Sequence, residues 1–215
     1  MLKAIIFDMD RLLIDSEPIW QEAESKAFGK VGLSLTPEQM RQTMGLREDE
    51  AVQYWYDRHP WKGVSREEVE ADIENTVIAL IKTKGKEMPG VRQAIGVCKG
   101  KGLPLAVASS SFFKVIDTVL TKLNIKQEFT VINSAEQEPF GKPHPGVYIT
   151  TAQKLGVAPE FCVAFEDSPN GVVSAKAARM KCIAVPDVHV KDDKRFLIAD
   201  VTLNSLSELS KEHLA

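Results

Sequence analysis

The chain has 215 residues, with 27 Lys plus Arg against 30 Asp plus Glu and a formal net charge of -3. That length allows one large domain, or a core domain with a smaller insert, and the composition is that of an ordinary soluble globular protein. The charge balance, with no basic run, excludes an electrostatic footprint for nucleic acid, and no apolar stretch is long enough to span a membrane.

The first apolar run, Leu2-Lys3-Ala4-Ile5-Ile6-Phe7, breaks abruptly into Asp8-Met9-Asp10. It reads as a buried strand delivering acids to its carboxyl end, where open α/β sheets bind ligands. Two like charges this close are unfavourable unless a cation lies between them or one carboxyl keeps its proton. Both remedies suit phosphoryl transfer, in which one carboxylate attacks phosphorus and a second carboxyl trades a proton with the leaving oxygen. Asp-x-Asp alone also fits a strand followed by an Asx-type turn, so the rest of the chain must decide.

The next segment closes on a helix start, with Asp15 or Ser16 as cap and Pro18 in the first turn. Ile19, Ala23 and Ala27 predict a helix to about Lys30, ended by Gly32. Thr36-Pro37-Glu38-Gln39 is a capping box for a short second helix. A third runs from Arg47 through Ala51, Val52 and Trp55 until His59-Pro60-Trp61 breaks it. Ser65-Arg66-Glu67-Glu68 is another capping box, and Val69, Ile73, Val77 and Leu80 share one face of the helix behind it. Residues 16–82 thus hold only helices, which predicts a small inserted domain with a polar linker at 82–87.

Pro89 begins a helix through Val91, Ile95 and Cys98 that Gly100 and Gly102 end. Strands at 103–108, 130–132, 162–165 and 182–185 then alternate with helices from Ser111, near 145–155 and from Pro169 to Arg179. A short strand near 200–203 and a last helix after Asn204 close the edge. The alternation predicts an α/β fold with a doubly wound parallel sheet, formed by residues 1–15 and 83–215. Cys98, Cys162 and Cys182, odd in number and in or beside apolar segments, are expected as buried reduced thiols of a cytoplasmic protein. Asp8 and Asp10 interrupt the first apolar run too early for a signal peptide.

In such a sheet every strand's carboxyl end lies at one edge. That edge would collect Asp8, Asp10, Ser109 with Ser110 and Ser111, Lys142 and the pair Glu166-Asp167. Each has a plainer reading: Ser111 and Ser168 as helix caps, Lys142 as a solvated loop lysine. Together they suit one site, with carboxylates for an oxygen-only Mg²⁺, hydroxyls and amides for phosphate oxygens, and a lysine for the remaining charge.

Four motifs carry a resemblance: Asp8-Met9-Asp10, Ser109 in Val107-Ala108-Ser109-Ser110, Lys142 in Gly141-Lys142-Pro143, and Glu166-Asp167-Ser168-Pro169-Asn170-Gly171. In that order across the core, the chain resembles the haloacid dehalogenase-like hydrolase superfamily. Ile14-Asp15-Ser16-Glu17-Pro18 and Lys142-Pro143-His144-Pro145 resemble its β-phosphoglucomutase-like branch. The phrase Trp55-Tyr56-Asp57-Arg58-His59-Pro60-Trp61 is similar to bacterial phosphatases of 2-deoxyglucose 6-phosphate and hexitol phosphates.

The resemblance implies a Rossmann-like core with a helical cap at 16–82, and an enzyme hydrolysing small sugar or sugar-alcohol phosphates. It implies Asp8 as the nucleophile forming an aspartyl-phosphate and Asp10 as general acid and base. Asp8, the main-chain carbonyl of Asp10 and Asp167 would hold Mg²⁺, with Glu166 behind them or as an alternative ligand. Ser109 and Lys142 would hold the phosphoryl group, helped by the amides of Met9 and Ser110. Arg47 would approach the substrate from the cap, and Asn170 would support the metal loop. A monomer is the expected state. Trp20 stands where the mutases carry a histidine, which argues against a mutase, and Asp10 argues against a dehalogenase. The family has glycine at the position of Arg11, and the resemblance leaves three fates for that side chain. It swings away, contacts an anionic substrate, or competes with Mg²⁺ for Asp8 and Asp10. The last would make a low-turnover, phosphate-binding regulatory protein the alternative from another class.

Overall fold

A computed structural model describes residues 1–215. Six parallel strands form one sheet: β1 (Ala4–Phe7), β2 (Leu105–Ser109), β3 (Val131–Ser134), β4 (Cys162–Glu166), β5 (Lys181–Ala184) and β6 (Val201–Thr202). Their order, β3-β2-β1-β4-β5-β6, reverses direction at β1 and puts Asp8 at the switch point of the sheet.

The period-two alternation of the strands sorts side chains onto two different faces. Ile5, Phe7, Leu105, Val107, Val163, Phe165 and Ile183 build a bulky face, on which Phe7 and Phe165 stack with centroids 4.7 Å apart. Helices α5 (Val91–Lys99) and α6 (Phe113–Lys122) cover it with Ile95, Ile116 and Leu120. The opposite face is nearly all small: Ala4, Ala106, Ala108, Cys162, Ala164, Cys182 and Ala184 around Ile6. There α7 (Gly146–Lys154) and α8 (Pro169–Ala177) bury Val147, Tyr148, Val172 and Ala175. All three cysteines are free and buried, and burial pushes the Cys98 thiol up to about 12.

Between β1 and α5 lie only helices: α1 (Glu17–Lys30), α2 (Pro37–Met40), α3 (Glu48–Arg58) and α4 (Arg66–Lys84). The chain enters and leaves this block on paired antiparallel segments, with Asp15 N donating to Lys86 O and Met88 N to Leu13 O. Both capping boxes form: Thr36 Oγ1 accepts from Gln39 N, and Ser65 Oγ from Glu68 N.

Five expectations need correction. Helix α4 continues to Lys84, so the polar stretch starts inside a helix, and α5 begins at Val91, behind a left-handed Gly90 with φ +86°. The segment after Asn204 makes a 3-10 turn, Leu206–Glu208, in place of an α-helix. Ser16 occupies the N-cap of α1 without capping, because its hydroxyl accepts from Arg11 N. Ser111 caps nothing: α6 starts after Phe112, and the Ser111 hydroxyl is used elsewhere.

Candidate active site

The carboxyl edge gathers the predicted residues into one pocket lined by Asp8, Asp10, Ser109, Ser110, Lys142 and Asp167. Asp8 follows β1 directly, Ser109 ends β2, Lys142 lies in the loop before α7, and Glu166 ends β4. Lys142 is the hub. Its buried ammonium donates to Asp8 Oδ1 and Glu166 Oε1, both at 2.6 Å, and to Ala108 O at 3.2 Å. Burial alone would lower the Lys142 pKa, but the charges and hydrogen bonds of Asp8 and Glu166 raise it, so the lysine stays ionised.

Glu166 is fully buried and saturated with donors. Oε1 takes Lys142 and the Tyr148 hydroxyl at 2.6 Å; Oε2 takes the amides of Asp167 and Ser168 and the Ser168 hydroxyl. Burial, with Glu166 beside it, holds the Tyr148 phenol neutral, so it remains a donor. Gly171 leaves room for this carboxylate, since a Cβ there would lie 1.9 Å from Glu166.

Asp10 is clamped from two sides, each at 2.7 Å: the Trp20 indole N–H donates to Oδ1, and the Ser111 hydroxyl donates to Oδ2. The Ser111 amide in turn donates to Ser109 Oγ at 3.1 Å. No protein hydrogen bond uses the main-chain N–H of Met9 or Ser110, which leaves both amides free for an anion. Trp20, Ser111 and Tyr148 are partners that residue spacing did not assign. The available signal was an indole or phenol on an apolar helix face, whose polar atom needs a partner when buried.

Arg11 contacts neither Asp8 nor Asp10. With φ +54° its side chain turns back, so that Nε donates to Asp167 Oδ2 at 3.0 Å and Nη1 pairs with Glu17. Burial opposes the guanidinium charge, but Asp167, Glu17 and Asp187 hold it ionised. Arg47, expected beside the substrate, lies outside the pocket lining. It pairs with Asp49 and donates to the carbonyls of Ala135 and Glu138, tying the start of α3 to the loop after β3. Asn170 likewise bridges Met44 O and Arg195 instead of bracing the acidic loop.

Asp8, Glu166 and Asp167 place carboxylate oxygens within 4.8 Å of one another. Burial, reinforced by Glu166, Asp167 and Asp10 against the pull of Lys142, pushes Asp8 well above the usual carboxylate range. Burial also pushes Asp167 up to about 7, against Arg11. The cluster is short of positive charge. Asp8 Oδ2 and Asp167 Oδ1 accept no hydrogen bond, whereas both Glu166 oxygens are occupied. An all-oxygen set of this kind fits a hard divalent cation such as Mg²⁺ on Asp8 and Asp167, with Glu166 behind.

Asp8, the clamped Asp10 and Lys142 thus stand together at the switch point of a doubly wound sheet. A family model described as haloacid dehalogenase-like hydrolase matches residues 5–185, and the chain belongs to that family. It is a phosphoric monoester hydrolase of the family. It is 45% identical to hexitol phosphatase B of Escherichia coli K12 over 98% of this chain and 96% of that protein. Its fold matches CbbY of Rhodobacter sphaeroides in complex with phosphate, with a TM-score of 0.88 at 26% identity over 97% and 96% of the two chains. It also matches β-phosphoglucomutase of Clostridium difficile in fold, with a TM-score of 0.85 at 22% identity over 100% and 96%.

Proposed function

We propose that the chain is a Mg²⁺-dependent phosphatase of small sugar or sugar-alcohol phosphates, working through an aspartyl-phosphate on Asp8. The observation that carries this reading is the Lys142 bridge between Asp8 and Glu166, opposite an Asp10 whose two oxygens are both fixed. The likeness to a hexitol phosphatase over nearly the whole chain supports the substrate class.

The phosphate would sit on Ser109, Lys142 and the free amides of Met9 and Ser110. The Asp8 carboxylate, oriented by Lys142, attacks phosphorus; the phosphorus–oxygen bond to the substrate breaks, and Asp10 gives its proton to the leaving alcohol. Asp10, now a base, takes a proton from water, which attacks the aspartyl-phosphate and returns Asp8 with inorganic phosphate. Trp20 and Ser111 hold Asp10 in line through both steps. Asp8, Asp167 and the Asp10 carbonyl would hold Mg²⁺, which when bound screens the carboxylates from the phosphoryl oxygens.

Residues 16–82 act in this reading as a cap that excludes water until a substrate is seated. Ser110 Oγ to Gly45 O, and Asn170 to Met44 O, are the contacts that support closure. We read the protein as a monomer and, from its three free buried thiols, as cytoplasmic. The Arg11–Asp167 pair favours a second reading, a phosphate-binding protein with little turnover. Sorbitol 6-phosphate and 4-nitrophenyl phosphate separate the two. Hydrolysis lost with EDTA and in Asp8→Asn supports the enzyme; phosphate binding without hydrolysis supports the alternative.

A further inference from the structure

The pocket has a second half that the phosphoryl chemistry leaves unused. Beyond Asp10 its wall is built by Trp20, Gln21 and Glu24 of α1 and by Thr43 and Glu48 at the approach to α3. Glu48 is 7% exposed, and its Oε1 is buried with no hydrogen-bond partner. The helix dipole accounts for acids in the first turn of α3, but Asp49 and Glu50 already supply them nearer the surface. It does not account for burying a third one without a donor, which costs stability unless something else provides the donor. Glu24 faces the same space from α1 and feels the Glu48 charge.

We infer that Glu24 and Glu48 bind the neutral, polyhydroxylated tail of the phosphomonoester and select against substrates that carry a second anionic group. This rests on the phosphatase reading above and names what its pocket accepts. Carboxyl groups suit vicinal hydroxyls because they accept hydrogen bonds from them and, when protonated, also donate. Burial, then Glu70, Asp49 and Asp10, pushes Glu48 up to about 8; burial, then Glu48 and Glu17, raises Glu24 further than Arg11 lowers it. A region so desolvated and acidic that it raises the pKa of its own carboxyls also penalises any incoming anion. Arg41 lines the same pocket, but its charge is not among the leading ones at either carboxyl. The pocket is therefore polarised: Lys142 and free amides take the phosphate, and the acidic half takes hydroxyls and refuses charge.

The test compares sorbitol 6-phosphate with 6-phosphogluconate, which differs by a carboxylate in place of the terminal hydroxymethyl group, using the full chain with Mg²⁺. The wild type is expected to favour the hexitol phosphate by about 100-fold in kcat/KM. Glu48→Met should raise its KM about tenfold with kcat little changed, as loss of uniform binding does. Glu24→Lys should narrow the preference about tenfold by accepting the carboxylate. Equal turnover of both substrates by the wild type, or variants that leave KM and the preference unchanged, overturns the inference. If thermal melting shows Glu48→Met unfolded, the partly buried Glu24 position decides alone. Wild-type hydrolysis of 4-nitrophenyl phosphate, which has no polyol tail, reports separately on the phosphatase reading. Its absence sinks that reading, whereas its presence with an unchanged preference sinks only the tail site.

Discussion

Glu48 in the pocket wall and Glu166 just behind it are both buried carboxyls, and the protein treats them in opposite ways. Glu166 accepts from Lys142, Tyr148, two main-chain amides and the Ser168 hydroxyl, while an oxygen of Glu48 accepts from nothing. Saturation fixes geometry: a carboxylate gripped this way orients Lys142, which orients Asp8. An unpartnered carboxyl keeps its hydrogen-bonding capacity for whatever enters the pocket. In the proposed reading, one end is preorganised for reaction and the other is left open for recognition.

The sharpest way to break the contrast is to disable the reacting end. Asp8→Asn should lower kcat on the order of a thousandfold or more while the protein stays folded, since Lys142 keeps Glu166 as its counter-charge. Lys142→Met should lower kcat on the order of a hundredfold. It should also cost about 3–5 kcal/mol in urea unfolding, because Asp8 and Glu166 are left buried without their cation. Tyr148→Phe removes one donor to Glu166 and keeps the rest, so a fall of about tenfold in kcat with KM unchanged is expected.

Arg11→Gly sits between the two ends. It frees Asp167, which should tighten Mg²⁺ binding by about tenfold in calorimetry, and it lowers stability without the metal because Asp167 and Glu17 lose their buried cation, a loss the relieved left-handed backbone only partly offsets. Equal Mg²⁺ affinity in both proteins would show that the Arg11–Asp167 pair opens at no cost.

The last effect belongs to Glu48 and pH. Its folded-state pKa is raised above the unfolded value, from about 4.5 to about 8, so the folded protein holds the extra proton in that window. Its contribution is present below pH 4.5 and is lost as pH rises through 8. Melting temperature should therefore fall across that range, and Glu48→Gln, neutral throughout, should gain on the wild type between pH 5 and pH 8.5. A constant difference would contradict the burial argument.

Much of the framework was legible because it is local. Apolar runs ending on Asp8, Ser109 and Glu166 marked strand ends, and the capping boxes at Thr36 and Ser65 marked helix starts within four residues. What depended on contacts between distant segments was not legible. Ser111 has the credentials of a cap, and only the juxtaposition of β1 and β2 turns its hydroxyl to Asp10. Arg47 aims at the carbonyls of Ala135 and Glu138 because the loop after β3 packs on α3, which no spacing encodes. Arg11 was conspicuous as a residue, but its partner, 156 positions away, emerges only when β4 lies beside β1.

The central claim is that Asp8 carries the phosphoryl group, and it is most directly tested in Asp10→Asn with 4-nitrophenyl phosphate. That leaving group needs no proton from Asp10, so phosphorylation proceeds while hydrolysis, which needs the base, stalls. A rapid burst of one nitrophenolate per active site is predicted, followed by slow turnover. Acid-quenched mass spectrometry should find one phosphoryl group on the peptide containing Asp8. Linear release from the first turnover, with that peptide unmodified, would contradict the account.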